Sequence, residues 1–333
     1  MTKLVECVPN FSEGRDQKVI DAIAESIKQV NNVKLLSVEP DKDYNRCVVT
    51  FVGDPDSVRE AAFQSTKTAA GLIDMTKHKG EHPRLGATDV VPFIPISGVT
   101  MEDCVRLSNE FGKRAAEELH IPIYLYEEAA RIPERQNLSN IRKGEYEGLA
   151  EKLKDPAWRP DYGSPDFNSK SGATVTGARV FLIAYNVNLT TNNKDLAHEI
   201  ALRIRESGRS MKDSSGKSVK VPGSLKSVKA MGVMLERFDI AQVSINLTNF
   251  NVTPPHIAFE EVKREAQKLG LNVTGSEVVG LIPKKALVIA GKFYVGNVPN
   301  VKEEQYIARA VDVLGLSQLE RFDPKKKIIE YMI

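Results

Sequence analysis

Val33-Lys-Leu-Leu-Ser-Val-Glu-Pro-Asp-Lys-Asp-Tyr-Asn-Arg-Cys-Val-Val-Thr-Phe-Val52 reads as two strands, residues 33–38 and 47–52, joined by a turn-rich connection that carries Glu39, Tyr44, Asn45 and Arg46. Upstream, Val19, Ile20, Ile23, Ile27 and Val30 repeat at helical spacing and predict a helix from about residue 16, preceded by a strand over 3–9 and a turn at Asn10-Phe-Ser-Glu-Gly14. Asn10 and Ser12 are expected where free helix amides meet an anion, or else act as simple caps. Downstream, Pro55-Asp-Ser opens a helix to about residue 72 with Val58, Ala62, Ala69 and Leu72 inward, and residues 90–96 return as a strand. The resulting order, strand, helix, strand, strand, helix, strand, is the split βαβ pattern of ferredoxin-like sandwiches.

The order recurs. Residues 177–189 predict a strand, 193–207 a helix, 228–235 and 240–247 a hairpin, 254–269 a helix and 273–282 a strand. Cys47-Val-Val-Thr-Phe and Val243-Ser-Ile-Asn-Leu share a pattern without strong identity. The fold expected is therefore α/β (α+β), with two related ferredoxin-like halves, residues 1–176 and 177–333. Between them lie a helix over 100–119, opened by Thr100-Met-Glu-Asp103 as a capping box with Asp in place of Glu, a short strand over 121–125 and a connection over 127–171. That connection carries Arg131, Arg135, Arg142, Lys143 and the single tryptophan, Trp158. It ends in the Gly/Ser/Pro-rich run Asp161-Tyr-Gly-Ser-Pro-Asp-Phe-Asn-Ser-Lys-Ser-Gly172. A connection of this length in a compact protein is expected to lid or bind something.

The chain of 333 residues exceeds the size at which single cores stop growing, and 41% hydrophobic with 27% charged residues is globular composition. A net charge of +2 gives no global field for nucleic acid or an anionic membrane, so an anionic ligand must be met by a local cluster. No apolar run approaches the roughly 18 residues of a membrane span, and the amino terminus lacks the pattern of a secretory signal. Cys7, Cys47 and Cys104, odd in number and without metal-like spacing, are expected to be reduced thiols of a cytoplasmic protein.

The chemistry is expected in His78-Lys-Gly-Glu-His-Pro-Arg-Leu-Gly-Ala-Thr-Asp-Val-Val-Pro92, a shaped loop by its glycines and prolines. His82 stands between Glu81 and Pro83 and is followed by Arg84, Thr88 and Asp89, a near-neutral proton acceptor beside a cation, a hydroxyl and two carboxylates. His78 and His82 have the i, i+4 spacing of metal ligands, but Gly80 and Pro83 oppose the helix that would align them, and no metal is expected. His120, His198 and His256 read as packing, surface or dipole-interacting residues.

Val5-Glu-Cys-Val-Pro-Asn-Phe-Ser-Glu-Gly14, Gly80-Glu-His-Pro-Arg84, Gly144-Glu-Tyr-Glu147 and Gly172-Ala-Thr-Val-Thr-Gly-Ala-Arg179 together resemble the glutamate formimidoyltransferase family, the module that opens the bifunctional formimidoyltransferase-cyclodeaminases of vertebrates. The resemblance runs from Leu4 to the terminal Lys327-Ile-Ile-Glu-Tyr-Met332, without the cyclodeaminase half, so the transferase reaction alone is expected. It implies a ligand channel between two subdomains and a homodimer. It matches the family's catalytic histidine to His82 and its folate-binding segment to Gly163, Ser164, Pro165, Asp166, Phe167, Asn168, Ser169, Lys170, Ser171 and Gly172. The loop with His82 is expected to face that segment across a channel. Lys170-Ser171 stands where the vertebrate pattern carries a tryptophan, which leaves Phe167 or Trp158 to supply a stacking surface.

The reaction implied moves the formimino group of N-formimino-L-glutamate to N5 of tetrahydrofolate, the co-substrate, giving 5-formiminotetrahydrofolate and L-glutamate. One imidazole can take the proton from N5 and return it to the departing glutamate nitrogen. Glu39, Glu81 and Asp89 are candidates to stabilise the amidinium donor, and Arg46, Arg84 and Arg179 to grip carboxylates, with Asn10 and Ser12 as neutral donors. The basic run Arg209, Lys212, Lys217, Lys220, Lys226 and Lys229 is a candidate to attract a polyglutamylated folate tail, and product transfer to a separate cyclodeaminase is open. Two other readings stay open: formyl transfer between glutamate and tetrahydrofolate, or 5-formyltetrahydrofolate metabolism, on the same fold, and a non-catalytic folate-binding or RNA-binding protein. Scattered aromatics and a small net charge disfavour RNA.

Overall fold

The hairpin and its flanking helices form as read in a computed structural model, which describes residues 3–42, 44–80, 82–212 and 216–333. The chain splits into two compact units, Met1–Val180 and Phe181–Ile333. In chain order the first contains β1 (Leu4–Cys7), β2 (Asn10–Phe11), α1 (Gln17–Lys28), β3 (Val33–Asp41), β4 (Arg46–Gly53), α2 (Pro55–Leu72), β5 (Thr88–Ser97), α3 (Met101–Leu119), β6 (Ile123–Glu127), α4 (Leu138–Arg142), α5 (Leu149–Lys152) and β7 (Thr174–Ala178). β3 pairs with β4, β4 with β1 and β2, and these with β5, all antiparallel. With β1 and β2 counted as one interrupted strand, this is the split βαβ arrangement, and α3 provides the crossover that β6 and β7 need to extend it in parallel. Pro92, which has no amide hydrogen to give, lies on β5 opposite the interruption between Cys7 and Asn10.

Strand alternation divides the sheet's two faces. Cys7, Phe11, Cys47, Val49, Phe51, Val91 and Phe93 point into one core with Ile20, Ile23 and Ile27 of α1, Val58 and Ala62 of α2, and Phe111 of α3. Asn10, Val48 and Glu39, paired in register across β2, β4 and β3, fall on the other face. The three cysteines are free and buried, all of them in this core. The expected capping box is present, with Thr100 and Asp103 bonded reciprocally at the start of α3.

One expectation fails here. Asn10 and Ser12 do not stand at a helix terminus, because Asn10-Phe11 joins the sheet and Asp16 caps α1 by accepting from the Lys18 amide. The connection after β6 is packed along part of its length. Leu149 and Leu153 pack with Tyr124, Tyr126, Ile141 and Val175 in a second core cluster. Arg135, 5% exposed, donates to Asp161 at 2.7 Å and to the carbonyls of Ala157 and Arg159.

The second unit repeats the order: β8 (Ile183–Leu189), α6 (Lys194–Ile204), β9 (Arg209–Lys212), β10 (Ser218–Val221), β11 (Val228–Leu235), β12 (Ile240–Leu247), α7 (Pro255–Lys268) and β13 (Val273–Val279), then α8 (Lys284–Val295), α9 (Glu303–Val313), α10 (Pro324–Lys327) and α11 (Ile329–Met332). Its sheet runs β11-β12-β8-β13, all antiparallel, with the same strand placement as the first. The single strand expected over 177–189 is two: β7 closes the first sheet and β8 begins the second. An apolar run does not report a break between strands of different sheets. The division after Val180 thus lies four residues beyond the boundary read from sequence. The basic run from Arg209 to Lys229 contains the separate two-stranded ribbon β9-β10.

Candidate active site

The loop between α2 and β5 is seated by Asn45, a buried residue with φ of 48°. Its side chain accepts from the Gly14 amide at 2.9 Å and donates to the Lys79 carbonyl at 2.9 Å. Gly80 fits beneath it because a Cβ there would stand 2.4 Å from the Tyr44 carbonyl oxygen. Arg84 Nε donates to His78 Nδ1 at 3.2 Å. Nδ1 therefore carries no hydrogen, and Nε2–H donates to the Asn45 carbonyl at 3.0 Å. His78 has both nitrogens occupied and serves the loop's shape.

His82 differs. Arg46 Nη1 lies 2.8 Å from His82 Nε2, and since a guanidinium only donates, Nε2 is the acceptor and Nδ1 carries the hydrogen. Burial, followed by the positive charges of Arg46, Arg142 and Arg84, pushes the imidazole down from its ordinary range to about 2. His82 is a neutral base in a field of three guanidiniums. Tyr44 packs edge-on at 6.3 Å between ring centroids. Arg46 also reaches Asn10 Oδ1 at 3.4 Å, and its Nε is buried with no hydrogen-bond partner among the described residues.

The other two arginines are committed. Arg84, 5% exposed, donates to Glu147 at 2.6 and 2.9 Å and to Glu145 at 2.9 Å, tying the loop to the Gly144–Glu147 turn. Arg142, at the end of α4, pairs with Asp89, whose other oxygen accepts from the Leu85 amide at 2.9 Å. Neither Arg84 as carboxylate grip nor Asp89 as amidinium partner is supported by these contacts, since each is already saturated by an internal ion pair. A cavity of about 490 Å³ beside the loop is lined by His78, Lys79, Gly80, Arg84, Gly144, Glu145 and Glu147.

The end of segment 163–172 touches the loop directly. Gly86 and Gly172 form an isolated antiparallel bridge, the Ala87 amide donates to Ser171 O at 2.9 Å, and the Ala173 amide to Leu85 O at 3.1 Å. Gly172 has φ of +65°, and a Cβ there would lie 2.1 Å from the Leu85 carbonyl oxygen. Along the segment Ser164 bonds Asp166, Asn168 caps the Ser171 amide and donates to His120 O, and Lys170 donates to Gly71 O at the end of α2. Phe167 is 38% exposed and tilts against Tyr146, whose hydroxyl donates to Ser169 O at 2.6 Å. Trp158 is instead engaged by Lys152 and Arg135 in the connection's own packing.

Ser12 is buried, its hydroxyl donating to Gly86 O at 2.8 Å, so it braces the loop from below. Arg179 donates to Val180 O and stands beside Tyr126, whose hydroxyl burial pushes up to about 12. Glu39 accepts from Ser37 at 3.3 Å on the same face as Asn10. Glu81 lies outside the described residues. The residues missed in sequence are Arg142, read only as one basic residue of the connection, and Glu145 and Glu147, quoted as a motif without a partner. Two carboxylates spaced i, i+2 around Tyr146 were the available signal for a buried cation.

Comparison with known proteins identifies the family. Residues 4–179 match the family model of the formiminotransferase domain, N-terminal subdomain, and residues 184–333 that of the formiminotransferase domain. The chain is similar to the glutamate formimidoyltransferase of Streptococcus pyogenes serotype M1, 46% identical over 99% of this chain and 98% of that protein. It is 47% identical to that of Thermoplasma acidophilum over 88% and 92%. The formimidoyltransferase-cyclodeaminase of Mus musculus is 53% identical over all of this chain, which spans 60% of that protein's length. The chain spans 61% of the Dictyostelium discoideum protein of the same name.

Proposed function

We propose the reaction from one premise: the chain belongs to the formiminotransferase family, and it acts as a glutamate formimidoyltransferase that moves the formimino group of N-formimino-L-glutamate to N5 of tetrahydrofolate. The observation that carries the reading is the neutral imidazole of His82 at 2.8 Å from Arg46 within a cluster of guanidiniums, a base beside groups that attract carboxylates. Both substrates bear glutamate carboxylates.

In this mechanism N5 attacks the formimino carbon, the new N–C bond forms as the bond to the glutamate nitrogen breaks, and one proton passes from N5 to that nitrogen. His82 accepts the proton and returns it. Arg46, with a buried N–H left over, receives a substrate carboxylate. Glu39, two residues along β3 from the position opposite Arg46, faces the amidinium, which reacts best when charged. Asn10 orients Arg46. Residues 163–172 take the folate, with the exposed ring of Phe167 as the stacking surface. Arg84, Arg142, Asp89 and Ser12 hold the loop. Histidine degradation and one-carbon metabolism are the setting. A cytoplasmic homodimer, polyglutamylated folate, and a separate cyclodeaminase acting on the product complete the reading. Among the described residues no helix is long and apolar enough to cross a membrane.

The test is turnover of purified protein with tetrahydrofolate and either formiminoglutamate or formylglutamate. Transfer from the formimino donor is expected. Activity with the formyl donor alone overturns the assignment.

A further inference from the structure

We infer that Arg46 is a substrate-operated latch on His82: in the free protein its guanidinium occupies the imidazole's acceptor nitrogen, and a substrate carboxylate draws it away and frees that nitrogen for proton transfer. The inference rests on the proposed reaction only for the identity of the carboxylate.

The geometry distinguishes Arg46 from its neighbours. Arg84 and Arg142 donate to carboxylates, Glu145 and Glu147 in one case and Asp89 in the other. Arg46 donates to neutral acceptors, His82 Nε2 at 2.8 Å and Asn10 Oδ1 at 3.4 Å, and among the described residues its buried Nε–H, like that of Arg142, has no partner. A guanidinium binds a carboxylate through two parallel charge-assisted hydrogen bonds, stronger than a single bond to an imidazole nitrogen. An arriving glutamate carboxylate therefore outcompetes His82 for Arg46 and satisfies the orphaned N–H as well.

Release has an electrostatic consequence. Among the described residues, Arg46 on β4, Arg142 on α4, and Arg84 and His78 on its own loop act most strongly on His82, all lowering its basicity. Tyr44 packs on the ring edge. Asp41 and Asp89 act on Arg46, while Glu145 and Glu147 already offset Arg84. A carboxylate on Arg46 adds a negative charge beside the imidazole and raises its ability to hold a proton. The base becomes competent when the donor is bound, and the free enzyme keeps it silent.

Long-range nitrogen–proton NMR of His82 tests this without turnover, using L-glutamate as the probe and calorimetry to confirm its binding. In the free protein the neutral tautomer with hydrogen on Nδ1 is expected to persist through the ordinary histidine range. Saturating glutamate is expected to raise the protonation midpoint by about one pH unit or more. Arg46→Met is expected to raise the midpoint without ligand and abolish the glutamate response, and Arg46→Lys to retain part of both. An unchanged midpoint in glutamate-bound protein, or a free protein whose His82 already titrates normally, overturns the latch. Failure of L-glutamate to bind overturns it too, while the donor assay judges the proposed reaction separately, since it does not depend on this signal.

Discussion

The two sheets share strand order and pairing yet differ in what their non-core faces carry. On the second, Gln242 lies opposite Asn188 in register and Glu277 opposite Asn186. Gln242 donates to Asn188 at 2.6 Å and to Glu277 at 2.9 Å, Asn186 donates to Glu277 at 3.1 Å, and Asn188 bonds Gln318. Donors and acceptors there satisfy one another, and Asn188 and Gln242 are fully buried. On the first, cationic donors gather around His82, and Arg46 and Arg142 each keep a buried N–H without a partner among the described residues. A saturated network holds a sheet in one arrangement, whereas surplus donors around a neutral base are completed by a ligand. One topology thus carries a self-satisfied polar network in one unit and surplus donors around a histidine in the other.

The largest effect expected from breaking this contrast is on the first face. His82→Ala should lower turnover by roughly 10² to 10⁴, the usual contribution of a proton-transfer group, while folate binding largely persists. Unchanged turnover, measured alongside a folate-binding titration, would remove His82 from the chemistry. On the second face the cost should fall on stability. Gln242→Ala strands Asn188 and Glu277 and should lower stability by about 1–3 kcal/mol, read from the urea midpoint of the full chain. A loss below a few tenths would mean that this network is not cohesive.

The smallest effect is pH-linked and concerns a second depressed histidine. His256 is buried against Phe293 at 4.6 Å between ring centroids, and burial pushes it down to about 4, with Glu260 opposing. The folded imidazole binds its proton less well than the unfolded one. Its contribution to stability is therefore complete above the ordinary value of about 6.5 and is lost as pH falls from there through about 4. His256→Phe should flatten the fall in urea stability across that window. Parallel slopes for variant and parent would show that His256 is protonated without penalty.

Much of this was legible before any coordinates. The helix face of α1, the hairpin of β11 and β12 and the capping box at Thr100 follow from local periodicity and local hydrogen bonding, whereas Leu72, expected inward on α2, is 51% exposed at the helix end. The place of Asn10 was not, because Asn10-Phe11 looks like a turn until β4 and β5 lie on either side of it. Nor was the commitment of Arg84 and Asp89, whose partners come from the connection tens of residues away.

What the sequence by itself determined is the repeated split βαβ order and the presence of a histidine loop bearing family motifs, since both depend on residue spacing within short stretches. Only the tertiary structure decided which charges meet. His82 faces Arg46 across 36 positions, and the fold, not spacing, makes that imidazole a neutral acceptor while His78, four residues earlier, is a structural pin. Charge is visible in a sequence, but pairing is settled by which strands and turns the core brings together.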